Sequence, residues 1–102
     1  MQNLVYKTDS FFIAESFNLG HSILRFTDVD NNFFFEFQGM YYIEMPRIFT
    51  GVEIWKMTEK EKEDFLLRRP KLEGKSNFWK ILSDNETYYV VALGISINGE
   101  FK

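Results

Sequence analysis

Hydrophobic and polar residues alternate along most of the chain, and this period of two predicts β-strands separated by short turns. In the segment that begins at Phe33, alternate positions are Phe33, Phe35 and Phe37, and we expect these rings on one face. Gly39 follows and indicates a bulge, because glycine inside a strand weakens the ladder. The predicted strands are Leu4–Lys7, Phe11–Phe17, Ser22–Thr27, Phe33–Gln38, Met40–Met45, Gly51–Met57, Phe78–Ser83 and Thr87–Ile97.

The last long segment, Thr87–Ile97, is apolar at both odd and even positions. Its odd positions, from Tyr89 to Ile97, are expected on one face, and Tyr88, Val90 and Ala92 on the other. A strand that is apolar on both faces is buried on both faces. We therefore expect it near the middle of the sheet, with either the helix or a fold-over of the sheet covering its second side.

One segment, Thr58–Arg69, has helical features instead. Thr58 and Glu61 have the spacing of a capping box, in which each side chain bonds to a free amide of the first turn. Apolar residues come late in the segment, at Phe65, Leu66 and Leu67, and Pro70 ends it. The predicted helix therefore has its first turns in solvent and its last turns packed on the sheet.

These elements predict an α+β fold in one domain, residues 1–102. We expect a twisted, mostly antiparallel β-sheet of about six to eight strands, with one main α-helix near 58–69. The alternative is a barrel-like sheet that closes on itself, with that helix plugging one end.

Composition narrows the possible functions. The chain has 45% apolar residues, twelve Phe, a net charge of −3 and a pI near 5.1. Nucleic-acid binders usually carry a basic face, so we expect no nucleic-acid partner, whereas a basic protein partner fits the charge. The chain has no Cys, which excludes disulfides and thiolate chemistry. With no signal-peptide pattern and no membrane-length apolar run, a cytoplasmic protein without a membrane partner is expected.

Asp28, Asp30 and Asn32 match the first ligands of a calcium-binding loop. The match then fails, because Phe33 stands where the loop needs glycine and Gly39 stands where it needs a bidentate glutamate. Asp and Asn favour turns by bonding to nearby backbone amides. We interpret this segment as a hairpin turn and expect no metal site.

No catalytic constellation is evident. His21 is the only histidine, and a triad would require a distant serine. Four glutamates fall in predicted strands, where they usually face solvent, although two of them facing each other could support acid–base chemistry. These residues are Glu15, Glu36, Glu44 and Glu53. We expect no catalytic residues and no cofactor.

Two features point instead to protein binding. Residues Glu59–Asp64 contain four acids and two bases, an acidic helix face suited to a basic partner. Adjacent aromatic residues also place rings on both faces of several strands, and exposed rings are favoured at interfaces. These groups are Phe11-Phe12, Phe33-Phe34-Phe35, Tyr41-Tyr42, Phe78-Trp79 and Tyr88-Tyr89.

Three segments, Leu24-Arg25-Phe26, Tyr42–Pro46 and Gly51–Ile54, resemble parts of small bacterial immunity proteins. Those proteins act as antitoxins against polymorphic toxins, including toxins of contact-dependent growth inhibition. The resemblance implies tight binding to a cognate toxin domain, often a basic nuclease, by covering its active site or substrate path. It implies no catalytic residue, since such an inhibitor needs none.

On this interpretation, acidic residues would meet the Lys and Arg side chains of the toxin, and aromatic residues would anchor the complex. The candidate acids are Asp28, Asp30, Glu59, Glu61, Glu63 and Asp64, and the candidate anchors are Tyr42, Trp55 and Tyr88. Two other functions are a small carboxylate-dependent enzyme and a structural domain that self-associates through edge strands. The free chain is expected to be a monomer or a weak dimer.

Overall fold

The computed structural model describes residues 4–18, 23–28, 30 and 33–101, and for residues 15–18 it describes the backbone alone. His21, Asn32 and the side chain of Glu15 therefore lie outside the description. Within these ranges there are seven strands, one α-helix and one short 3₁₀-helix. They are β1 (Leu4–Asn18), β2 (Ile23–Asp28), β3 (Phe33–Ile43), β4 (Ile48–Lys56), α1 (Glu59–Arg68), the 3₁₀-helix (Pro70–Leu72), β5 (Asn77–Ser83), β6 (Glu86–Ile97) and β7 (Glu100–Phe101).

The described strands all pair antiparallel, in the order β3-β2-β1-β4-β5-β6-β7. An additional pairing joins β3 to β6 and closes the first six strands into a ring. The ring consists of two three-stranded meanders, β1–β3 and β4–β6, joined by the β1–β4 and β3–β6 pairings. A mostly antiparallel sheet with one helix was predicted and is confirmed, with more of the chain in strands than the α+β class implies.

Alternating side chains fill the interior of this closed sheet with aromatic rings. Phe35 lies at the centre, with its ring 5.0 Å from Phe12 and 5.2 Å from Phe26. Small barrels are commonly filled by side chains in this way. The fully buried large side chains of this interior core include Phe12, Phe26, Phe35, Phe37, Ile54, Trp79, Ile81 and Val90.

α1 packs on the outer wall of the closed sheet and does not plug its end. Its one buried side chain, Phe65, belongs to a separate cluster with Phe78 and Val91. On β6, Val90 contacts the interior core and Val91 contacts the helix cluster, so this strand is buried on both faces as predicted.

The face assignments fail where the strands are irregular. On β6, Tyr89 belongs to the helix cluster, Leu93 is 56% exposed, and Ile95 belongs to the interior core. On the opposite strand, Gly39 has a φ of +61°, and a Cβ there would lie 2.5 Å from Leu93 Cδ1. The bulge predicted at Gly39 lies instead just after it, since the register against β6 passes Gly39 unbroken and shifts between Met40 and Tyr42. Each irregularity moves the following residues to the other face, so a strict period of two misplaces them.

The boundaries of the other strands differ less from the prediction. The two segments predicted at the start of the chain form one strand, β1, whose register against β4 shifts between Thr8 and Phe11. β5 and β6 form a hairpin that turns through Asp84 and Asn85, with φ values of 51° and 63°. Positive φ at both central residues is typical of the type I′ turn that matches strand twist.

Candidate functional site

The N-terminus of α1 is held by the predicted capping box. Thr58 Oγ1 accepts a hydrogen bond from the Glu61 amide at 3.2 Å, and Glu61 Oε1 accepts one from the Thr58 amide at 2.9 Å. These bonds satisfy two amides that have no partner within the helix. The cap therefore fixes where the acidic segment begins.

Glu61 is also bound to the wall of the sheet. Lys80 Nζ on β5 donates to Glu61 Oε2 at 2.5 Å. The hydrogen bond from Lys80, followed by that from the Thr58 backbone, holds the pKa of the Glu61 carboxyl below its usual range. Glu61 thus has an internal structural role, which distinguishes it from the other acids of the helix.

Glu59, Glu63 and Asp64 remain exposed, and we refer to them as the acidic face of α1. Asp64 is 3.9 Å from Lys60, one helical turn away, in a surface pair of little energetic value. Leu67, which the sequence pattern placed among the packing residues, is instead 81% exposed. It follows Glu63 by four residues and Asp64 by three, so these two acids are its neighbours on the helix. The helix therefore presents carboxylates around one apolar side chain to solvent.

Tyr42 lies at the opposite end of the helix. Its hydroxyl donates to Glu44 Oε2 at 2.7 Å, and this bond, followed by burial, raises the pKa of the phenol. The guanidinium of Arg69 lies 3.7 Å from Glu44 Oε2, 5.1 Å from the Tyr42 ring and 4.5 Å from the Phe65 ring. Tyr42 is therefore already engaged in fastening the helix end to the sheet.

The candidate acids at the end of β2 lie apart from α1. Asp28 is 1% exposed and continues the inward alternation of Leu24 and Phe26, so it does not contribute to the surface. It accepts a hydrogen bond from the exposed Asp30 amide at 3.1 Å, as expected for a turn. Asp28 pairs with the first residue of β3, whereas Tyr42 lies near that strand's other end.

The other two aromatic candidates face different sides of the sheet. Trp55 lies on the outer wall, opposite Lys80 in register, and its Nε1 donates to Glu53 Oε1 at 3.1 Å. Tyr88 is partly buried and packs against the interior core. The structure thus places Tyr42 and the α1 acids on the outer wall that carries the helix, and Trp55 lies on that wall beside Lys80. Tyr88 and Asp28 lie elsewhere, apart from these residues.

Of the strand glutamates considered as a possible catalytic pair, the three whose side chains are described each bond to different groups. Glu36 accepts from Arg25 Nε at 2.9 Å, Glu44 binds Arg69 and Tyr42, and Glu53 binds Trp55. Glu53 also lines an open groove of about 430 Å³ that contains three further carboxylates, Asp9, Asp84 and Glu86. Across the described ranges, no group of three His, Asp or Glu side chains is placed to hold a metal ion.

Two surface features had no counterpart in the sequence prediction. One is the contact of Arg69 with several rings, which the position of this residue just before Pro70 did not reveal. The other is a set of strongly exposed apolar side chains outside the predicted aromatic groups, of which Phe11 and Tyr41 are exposed. Besides Leu67 and Leu93, it includes Ile48 (57%) and Phe101 (78%).

Within the described residues, no helix is long and apolar enough to cross a membrane. Comparison with known proteins adds no relative, since no family model, curated protein or solved structure matches this chain.

Proposed function

We propose that this domain is a protein-binding module that docks a basic partner on the acidic face of α1. We further propose that the partner is a cognate toxin domain of the nuclease type, as in the immunity proteins that the sequence resembles. One observation carries the docking surface: two exposed carboxylates, Glu63 and Asp64, lie beside a leucine that is 81% exposed, and a third, Glu59, lies one turn before Glu63.

The composition of this face fits an interface. A side chain such as Leu67 gains most when a partner covers it, because burial removes its apolar area from water. The surrounding carboxylates then attract Lys and Arg side chains, which raises the association rate and sets the orientation of the partner. Glu61 and Lys80 support the face from beneath by fastening the first turns of α1 to β5.

The interior of the closed sheet supports an external site. Aromatic and aliphatic side chains pack there against one another, and six large ones are fully buried rings: Phe12, Phe26, Phe35, Phe37, Phe49 and Trp79. A partner therefore has to be recognised on the outer wall, on the helix or on the turns.

The first test is whether the gene lies immediately downstream of a large toxin gene, and its absence there would count against a toxin partner. The binding experiment then uses the purified toxin domain of that neighbouring gene. Its affinity is measured by calorimetry, and its residual nuclease activity is measured with the domain bound. In the triple variant Glu59→Gln, Glu63→Gln, Asp64→Asn we expect affinity to fall by about 30-fold or more, equivalent to about 2 kcal/mol. Leu67→Ala is expected to reduce affinity by about tenfold.

A matched control removes three other exposed carboxylates by Glu73→Gln, Asp84→Asn and Glu86→Gln. This triple variant has the same net charge as the α1 variant, and we expect it to weaken binding no more than threefold or so. Equal losses of affinity in the two variants would show that only the net charge of the domain matters and would exclude the acidic face of α1 as the docking surface. Tight binding without inhibition of the nuclease would exclude neutralisation of such a toxin.

A further inference from the structure

A second surface feature lies where α1 ends. A cleft of about 420 Å³ opens between the outer wall of the sheet and the turn that follows the helix. Its apolar lining comes from Tyr42, Pro70 and Leu72, and its basic lining from Arg68, Arg69 and Lys71. An apolar floor with a few charged groups at the rim is typical of a binding site.

The charge of this region is opposite to that of the whole chain. Residues 68–75 include four basic side chains and one acidic side chain, whereas the chain carries a net charge of −3. Arg68 and Lys71 are exposed, and neither has a carboxylate within 4.0 Å in the described parts of the chain. Both cations are therefore free to bind an anionic group.

Arg69 forms a rigid wall of the cleft. Its guanidinium packs against Tyr42 and Phe65, and its charge is balanced by Glu44 at 3.7 Å. Its backbone amide donates to Leu66 O at 3.1 Å and caps the helix. Pro70 follows with its restricted φ, so the turn between the two helices is preorganised.

We propose that this cleft binds a peptide segment in which carboxylates flank an apolar side chain. The apolar side chain would pack on Tyr42 and Leu72, and the carboxylates would pair with Arg68 and Lys71. Arg68 and Lys71 stand exposed at the rim, so an occupant has to reach from the floor out to both cations, as an extended segment does. This cleft adjoins the acidic face of α1, because Arg68 lies one turn after Asp64, but its charge is opposite and it does not depend on the proposed toxin partner.

The probe is an acetylated and amidated peptide, Glu-Phe-Leu-Glu, titrated into the ¹⁵N-labelled domain at low salt. We expect amide resonances of Tyr42 and of residues 68–72 to shift. The variant Arg68→Gln, Lys71→Gln is expected to weaken binding by about tenfold, since each cation contributes a charge-assisted contact. Lys56→Gln, which removes an exposed lysine near the other end of α1, is expected to change affinity less than about twofold.

Two control peptides separate the contributions. Gln-Phe-Leu-Gln removes the charges and Glu-Ser-Ser-Glu removes the apolar side chains, and both are expected to bind at least about fivefold more weakly. Unchanged binding of either one overturns the proposal, as does the absence of shifts at millimolar peptide. If free 4-phenylbutyrate binds as tightly as the peptide, the cleft recognises a small acid and the peptide assignment is wrong. A preserved spectrum in each variant confirms that its fold is intact.

Discussion

Replacing Phe65 with alanine removes the one α1 side chain that is buried, and it tests how the helix is attached to the sheet. The Phe65 ring lies 5.7 Å from Tyr42, 6.0 Å from Phe78 and 5.2 Å from Tyr89, centre to centre. The Arg69 guanidinium covers it at 4.5 Å. The substitution therefore removes four packing contacts at once.

The expected loss of stability in Phe65→Ala follows from these contacts. Truncating a buried Phe to Ala typically costs about 3–5 kcal/mol. Three aromatic pairs, each worth roughly 0.5–1.5 kcal/mol beyond the buried area, place Phe65 toward the upper end of that range. The helix cluster and the interior core are separate, however, so α1 can detach while the closed sheet stays folded. We therefore expect local opening of α1 to become easier by at least about 3 kcal/mol, with a smaller loss in the sheet.

Amide hydrogen exchange measures both quantities in one sample. Amides in the second half of α1 are compared with amides of β2 and β3, which face the interior core. In Phe65→Ala the α1 amides are expected to lose most of their protection, and the strand amides are expected to lose less. Urea unfolding followed by tryptophan fluorescence gives the change in global stability.

Leu67→Ala is the matched control, because Leu67 is on the same helix but 81% exposed. Its free energy of unfolding is expected to change by less than about 0.5 kcal/mol. Equal loss of protection in α1, β2 and β3 of Phe65→Ala would refute the separation of the two clusters. A loss below about 1 kcal/mol in α1 would refute the attachment itself.

Three further predictions concern local interactions. Glu61→Gln is expected to destabilise the domain at pH 7, because it removes the ion pair with Lys80, which lowers the pKa of Glu61 in the folded state. In urea unfolding, the difference in stability between the variant and the unsubstituted protein should disappear as the pH falls through that folded-state pKa, since protonation of Glu61 then breaks the same ion pair in the unsubstituted protein. Gly39→Ala is expected to lower the free energy of unfolding by about 1–2 kcal/mol for the positive φ, plus a further amount for the clash with Leu93. Calorimetry should show a smaller loss in a Leu93→Ala background, because most of the clashing side chain is then absent. Asn85→Gly is expected to raise the melting temperature by a few degrees, because glycine adopts the positive φ of this turn without strain, and an unchanged or lower value would contradict the turn assignment.

Local signals in the sequence predicted local structure well. The capping box at Thr58 and Glu61, the late apolar residues and Pro70 located α1 to within one residue at each end. Alternation placed Phe35 and Phe37 inside, and Gly39 marked a change in the backbone, a positive φ, close to the register shift that follows Met40. Each of these features depends on residues within a few positions of one another, and such spacings can be read from one chain.

The long-range features were not predictable in the same way. Closure of the sheet depends on the pairing of β3 with β6, whose residues lie more than 40 positions apart in the chain. The reversal of faces at Leu93 depends on its contact with Gly39, and neither segment indicates that contact alone. These features arise from tertiary packing, which overrides a strict strand period.

The candidate site was predicted in part. Acidity near Glu59 and Glu63 is visible in the sequence, and the structure leaves both residues exposed. Asp28 was misjudged as a surface acid although it continues the inward pattern of Leu24 and Phe26, a signal that was present. The basic cleft beside Arg69 was missed because its floor comes from Tyr42, a residue distant in sequence.

The β3–β6 pairing also determines the order in which the chain can complete its fold during synthesis. The meander β1–β3 leaves the ribosome first, and its two outer strands, β1 and β3, each keep one edge unpaired until β4–β6 follow. During that interval Phe35 and Phe37 have no second meander to cover them. The nascent chain therefore exposes unpaired strand edges and aromatic side chains that favour aggregation. The speed of translation through residues 44–97 determines how long this first meander stays exposed.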